Sequence, residues 1–142
     1  MQAVLSYLKQ NQKQFVAELC DYVRFPSVSA QPQHRGDMTN CANWLMDHCR
    51  KIGLEPRLAE TAGNPVVVAK TPRHKNSRKP HYVVYGHYDV QPAEPFELWK
   101  TPPFEPRIAG TSLFARGSSD NKGQNLAHLK AVEAYLKTGT EL

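Results

Sequence analysis

Two short stretches hold residues whose types and spacing could do chemistry. In YVVYGHYDVQP, residues 82–92, an imidazole (His87) and a carboxylate (Asp89) stand two positions apart, just after an apolar run. In near-extended backbone such residues point to the same side. A metal-bound histidine gives one ring nitrogen to the metal and its other N–H to a carboxylate or carbonyl. His87 and Asp89 would meet both needs. On this spacing alone the plainer reading is favoured: a strand-end histidine capping a loop beside a solvated aspartate. The second stretch is ARGSSDNKGQN, residues 115–125, where Asp120 is the acid nearest the start of an expected helix. Free N–H groups at a helix start favour a carboxylate. A helix-start aspartate is therefore its alternative reading, with Gly117 and Gly123 as ordinary turn residues. The stretch is not G-x-x-x-x-G-K-[ST], and Ser118 and Ser119 lack the G-x-S-x-G elbow of a serine hydrolase.

These groups need elements to position them. HYVVYG reads as a strand apolar on both faces, as in the middle of a sheet covered on two sides. Ligands in open α/β sheets bind beyond the carboxyl ends of strands, which is where His87 and Asp89 fall. Upstream, Val4, Leu5, Leu8, Phe15, Leu19, Tyr22 and Val23 carry helical spacing over residues 3–23. Pro26 and Pro32 in FPSVSAQP stop that helix. A second helix, about residues 36–52, has Met38, Cys41, Leu45, Cys49 and Ile52 on one stripe and ends at Gly53. LEPRLAE and PVVVAK read as strands about a Gly63-Asn64 turn. Residues 90–106 form a structured loop rich in proline and aromatics, and two short strand-like runs flank Gly110. A third helix follows SSDNKG, with Leu126, Leu129, Val132 and Leu136 as its buried stripe. The expected fold is α/β, a layered sheet with flanking helices. A chain that stops directly after a helix is expected to be a truncated domain.

Composition narrows the function classes. Of 142 residues, 40% are apolar, enough for a core. No apolar run approaches the roughly 18 residues of a membrane span. The N-terminal stretch lacks signal-peptide features, so a cytoplasmic location is expected. Cys20, Cys41 and Cys49 have no CxxC spacing and lie in helical patterns, which predicts buried thiols. The net charge of +5 owes much to residues 70–80, where Lys70, Arg73, Lys75, Arg78 and Lys79 cluster without aromatic residues. That reads as a solvated connecting loop, not as a nucleic-acid surface.

Read together, GHYDVQP, ELWKTPPFEP and LFARGSSDNKGQ resemble, in that order and at about those gaps, the di-zinc exopeptidases of the carnosinase, aminoacylase and cytosolic dipeptidase kind. RFPSVSA after the first helix fits the start of that family. The resemblance runs over essentially the whole chain. It implies an N-terminal, metal-binding part of the catalytic domain over residues 1–142. A lid or dimerisation domain and the C-terminal part would lie outside these residues. His87 would bind one metal, Asp89 would steady its imidazole without being a ligand, and Asp120 would bridge two ions. The Asp120–Asn121 peptide would be cis. Asn121 stands where the branch often has a second aspartate, with little expected effect on the metals.

The cofactors implied are two divalent ions, zinc, with manganese or cobalt as alternatives. The reaction implied is hydrolysis of a dipeptide or N-acyl amino acid by metal-activated water. The partners implied are that small substrate and a second copy in a full-length homodimer, with neither nucleic acid nor membrane. The family's paired glutamates, one of them the general base, have no counterpart here, because the chain contains no Glu-Glu pair. These residues alone are therefore expected to be inactive. His34, His48, His74, His81 and His128 are not expected to be ligands. Trp99 and Phe104 are expected to pack a loop bordering the site. The competing expectation is a degenerate, non-catalytic binding module with the same fold.

Overall fold

The computed structural model describes residues 1–72 and 80–141. The chain runs α1 (Gln2–Gln10), α2 (Gln12–Val23), α3 (Arg35–Ile52), β1 (Glu55–Ala59), β2 (Val66–Lys70), β3 (Arg107–Ala109), β4 (Ser112–Phe114) and α4 (Lys122–Lys137). Short 3-10 turns at Pro32–His34 and Phe96–Leu98 complete it. The α/β class is as expected.

Helix α3 follows its sequence signals closely. Pro32 opens the turn before it, Asp37 lies in its first turn, and Arg50 and Lys51 lie in its last, each charge suiting the helix dipole. Gly53 closes it at φ 100°, and the Leu54 N–H returns to the Cys49 carbonyl at 2.9 Å. The whole stripe Met38, Cys41, Leu45, Cys49 and Ile52 is buried. It meets Tyr22 of α2 and Leu126 of α4 in the core, with Val67, Ala69 and Tyr88 packed against them. Trp44 stacks on Tyr22 at 4.8 Å between ring centroids. Tyr88 lies between His87 and Asp89, so the core sits directly behind the residues of interest.

β1 and β2 form the expected antiparallel hairpin, with Glu55 opposite Lys70 and Ala59 opposite Val66. β3 and β4 form a second, with Ile108 opposite Leu113. Most of the basic segment at residues 70–80 lies outside the described residues.

Four expectations are corrected. Cys41 and Cys49 are buried thiols as expected, but Cys20 is only half-buried. Residues 3–23 are two helices, broken at Asn11. The Asn11 side-chain amide donates to the Tyr7 carbonyl at 2.8 Å, offering the backbone a local alternative to the helix. Residues 81–86 form no strand. A strand needs a hydrogen-bonded neighbour, and among the described residues this run has none. Tyr82, Val83 and Tyr85 are more than four-fifths exposed. On α4, Leu126 is buried as expected, but Leu129, Val132 and Leu136 are half-buried, while Lys130 and Glu133 are buried in their place.

Those two charges belong to a cluster that joins the helices. Lys130 Nζ donates to Glu133 Oε2 at 2.7 Å and to His48 Nε2 at 2.9 Å, and pairs with Glu18 of α2. The Tyr7 hydroxyl of α1 donates to Glu133 Oε1 at 2.8 Å. His48 stacks on Trp44 at 4.9 Å. Burial, and then the Lys130 charge, push the His48 pKa down to about 4. Burial alone would raise the Glu18 pKa, but hydrogen bonds from Lys130 and Gln14 outweigh it and hold it low.

Both shifts have the same consequence. The unfolded chain takes up protons at a higher pH than the folded one, from about 6.5 for histidine. Stability is therefore fully present above about pH 6.5 and is lost as pH falls toward the folded values. The thermal midpoint should fall between about pH 6.5 and 4. His48→Gln should flatten the upper part of that slope. An unchanged slope in His48→Gln would remove histidine from the account.

Candidate metal centre

The turn after α2 organises the first site segment. Its N–H groups at Ser27 and Val28 bond back to Phe25 and Pro26, at 2.8 and 2.7 Å. The fully buried Ser27 then grips the segment containing His87 from two sides. Its hydroxyl donates to the Tyr88 carbonyl at 2.6 Å, and its carbonyl accepts the Val90 N–H at 2.9 Å.

Both ring nitrogens of His87 are engaged. Nδ1 lies 3.0 Å from Asp89 Oδ1 and 3.1 Å from the Asp89 carbonyl. Both are acceptors, so Nδ1 carries the proton. Nε2 points the other way and lies 3.0 Å from Asp120 Oδ1. Structure thus brings together all three residues singled out from the sequence, across a separation of more than thirty positions. The helix-start reading of Asp120 does not hold: the residue at the N-cap is Asn121, with no side-chain capping bond. The Asp120 carboxylate faces His87 and solvent, 82% exposed.

The second segment is held by close packing. The Asp120–Asn121 peptide is cis, as the resemblance implies. The Lys122 N–H closes the turn onto the Gly117 carbonyl at 3.2 Å. Gly117 has φ +82°, and a Cβ there would lie 2.5 Å from Val90 Cγ1. A Cβ on Gly123 would lie 2.0 Å from the Ser118 carbonyl oxygen. These glycines are sites of close backbone approach. Lys122 is fully buried, and its ammonium donates to the carbonyls of Tyr22 and Phe25 at 3.1 and 2.7 Å. Burial pulls its pKa down, with Cys41 and Asp89 opposing. Asn121 joins the two segments, its Oδ1 accepting the His87 backbone N–H at 3.2 Å.

An imidazole nitrogen and a carboxylate oxygen 3.0 Å apart require a positive charge between them. A proton on Nε2 meets that need. Burial lowers the His87 pKa, but Asp89, through its backbone and its charge, and then Asp120, outweigh burial and leave it raised. A divalent ion meets the same need, and this donor pair suits zinc, manganese or cobalt. Nδ1 is already committed to Asp89, the usual arrangement behind a metal-bound histidine. The residues present therefore fit part of a metal site.

A second group could offer three donors: Glu18, His48 and Glu133, with ligand atoms within 4.8 Å of one another. The Lys130 ammonium bonds to all three, so the cation position there is taken. Of the loop aromatics, Trp99 donates to the Ala93 carbonyl at 2.8 Å and carries Arg116 over its ring, consistent with a packing role. Asn121, Lys122, Ser27 and Ser29 were not read from the sequence as parts of the site. Only the position of Asn121, Lys122 and the two serines inside recognised motifs pointed toward them.

Residues 83–142, which contain His87, Asp89 and Asp120, match peptidase family M20/M25/M40. That segment carries the family's sequence pattern. It is 29% identical to the Cys-Gly metallodipeptidase DUG1 of Candida albicans, covering 100% of this chain and 32% of that protein. It is 27% identical to the Beta-Ala-His dipeptidase of Rattus norvegicus, over 95% of this chain and 30% of that protein. Among solved structures it superposes on the di-peptidase Dug1p of Saccharomyces cerevisiae with a TM-score of 0.87 at 25% identity, and on human carnosine dipeptidase 1 with 0.86 at 27%. Each superposition covers 99% of this chain and 32% of the other. The chain thus spans about a third of the length of these M20 relatives. No helix among its described residues is long and apolar enough to cross a membrane.

Proposed function

We propose that these residues form the N-terminal part of the catalytic unit of a metal-dependent dipeptidase. The observation that carries this reading is His87, with Nδ1 tied to Asp89 and Nε2 aimed at Asp120 Oδ1, 3.0 Å away. His87 and Asp120 would hold the metal, Asp120 as the bridge between two ions, zinc being preferred. When bound, such ions lower the pKa of water and polarise the scissile carbonyl. Asp89 fixes the ring and holds the Nδ1 proton, and Asn121 fixes the backbone of His87. The general base and the remaining ligands come from outside these residues, so the 142-residue chain by itself is inactive. The substrate class is a dipeptide or N-acyl amino acid, and Cys-Gly and β-Ala-His are the first to assay, from the names of the relatives. The complete protein is cytoplasmic and a homodimer in this reading.

The test is Co(II) and Zn(II) titration of the chain and of His87→Ala and Asp120→Ala. Either substitution should weaken binding by about a hundredfold or more, the loss expected when a ligand itself is removed and not an outer partner. A longer form of the protein should hydrolyse the two dipeptides and lose that activity to a chelator. Unchanged metal affinity in both variants would overturn the reading. Metal binding without hydrolysis in the longer form would favour a binding module.

A further inference from the structure

We infer that Ser29 is a positioning residue for the metal ligand His87. The inference rests on the metal-site reading proposed above. Ser29 lies sixty positions from Asp89, yet its hydroxyl donates to Asp89 Oδ2 at 2.5 Å. The other oxygen, Oδ1, accepts from His87 Nδ1 at 3.0 Å. Both oxygens of Asp89 are therefore committed, one to Ser29 and one to the imidazole. This suits Asp89 as an anchor for the ring of His87. It also holds the plane of the carboxylate, which a single bond to His87 would leave free to rotate. Ring orientation at His87, and hence the direction of Nε2, follows from that plane.

The turn after α2 places Ser29 there. Ser27 is fully buried and is bonded on both sides of Asp89, to the Tyr88 carbonyl and the Val90 N–H. Val28 is buried at 2% exposure and pegs the turn to the core. With Ser27 and Val28 fixed, Ser29 emerges on the open side beside Asp89. Its own surface is exposed. Removing its hydroxyl opens no cavity, so the variant should fold.

The experiment compares Co(II) binding to the wild-type chain, Ser29→Ala, Ser29→Thr and His87→Ala, followed by visible absorption. It adds the imidazole N–H signals of His87 by NMR. Ser29→Ala should weaken Co(II) binding about tenfold, the lower end for loss of an outer partner of a ligand. Ser29→Thr, which keeps the hydroxyl, should restore it. The His87 Nδ1–H signal should persist in the wild type and in Ser29→Thr and broaden by exchange in Ser29→Ala. The thermal midpoint in chelator should be the same in all three. If His87→Ala loses Co(II) while Ser29→Ala binds it as the wild type does and keeps the Nδ1–H signal, the inference fails and the metal site stands. If His87→Ala binds as well as the wild type, or the wild type binds nothing, the metal site and the inference fail together.

Discussion

Lys130→Met should destabilise the chain by about 3–5 kcal/mol, the cost of stripping the partner from buried charges. The Lys130 ammonium is 6% exposed and bonds to Glu18, Glu133 and His48. Without it, two carboxylates face each other inside the protein and His48 loses its donor. The Tyr7 hydroxyl, bonded to Glu133, would be the only remaining donor from α1 into this cluster among the bonds described. The effect should appear as a lower urea midpoint with little change in slope. Glu18, His48 and Glu133 could capture zinc once the ammonium is gone, so the measurement needs a chelator present. A triple variant, Glu18→Leu, Lys130→Met and Glu133→Leu, should recover most of the loss, because a fully apolar replacement leaves no charge unpaired. A loss below about 1 kcal/mol in the single variant would mean that water reaches the cluster.

Gly123→Ala should open the turn that carries Asp120. The added Cβ would stand 2.0 Å from the Ser118 carbonyl oxygen and 3.2 Å from its carbon. Both are backbone atoms and cannot rotate away. Nor can the turn slide, because Lys122 beside it is buried and tied to the Tyr22 and Phe25 carbonyls. Overpacking of this kind costs about 1–3 kcal/mol. Metal affinity should fall by at least about tenfold, since displacement of Asp120 acts on a ligand and not only on its surroundings. Gly36→Ala is the control. A Cβ there meets nothing within 4 Å, and the position lies in α3, where alanine is the better helix former. Wild-type metal affinity in Gly123→Ala would show that the turn relaxes without moving Asp120.

Elements with strong local signals were legible in the sequence. α3 has a spaced apolar stripe, a first-turn acid, last-turn bases and a left-handed glycine, and each of these acts within a few residues. The β1–β2 hairpin about Gly63 and the β3–β4 pair about Gly110 were equally readable. α1 and α2 were read as one helix because their apolar spacing continues across Asn11. At the break the Asn11 side chain bonds back to the Tyr7 carbonyl, a contact that apolar spacing does not register. Residues 81–86 were read as a covered strand from composition alone. Strand formation is a pairing event, and composition does not supply the partner. Lys130 and Glu133 were missed because isolated charges on a helix read as a solvent face. Their burial depends on Glu18 and His48, which are distant in sequence.

The candidate site divides in the same way. Its chemistry was set by the sequence: His87 and Asp89 two apart, Asp120 within a glycine-flanked turn, and the motif order that places them in one family. The tertiary structure decided which alternative each residue takes. Asp120 could have capped α4, and it faces His87 because the closed turn from Gly117 to Gly123 aims it there. Asp89 could have been a solvated charge, and Ser29 and His87 bond to its two oxygens. Ser29, Asn121 and Lys122 entered the site only through contacts spanning from about thirty to about a hundred positions. Residue types and local spacing state which donors are available. The direction each one points depends on groups that only the folded chain brings within hydrogen-bond reach.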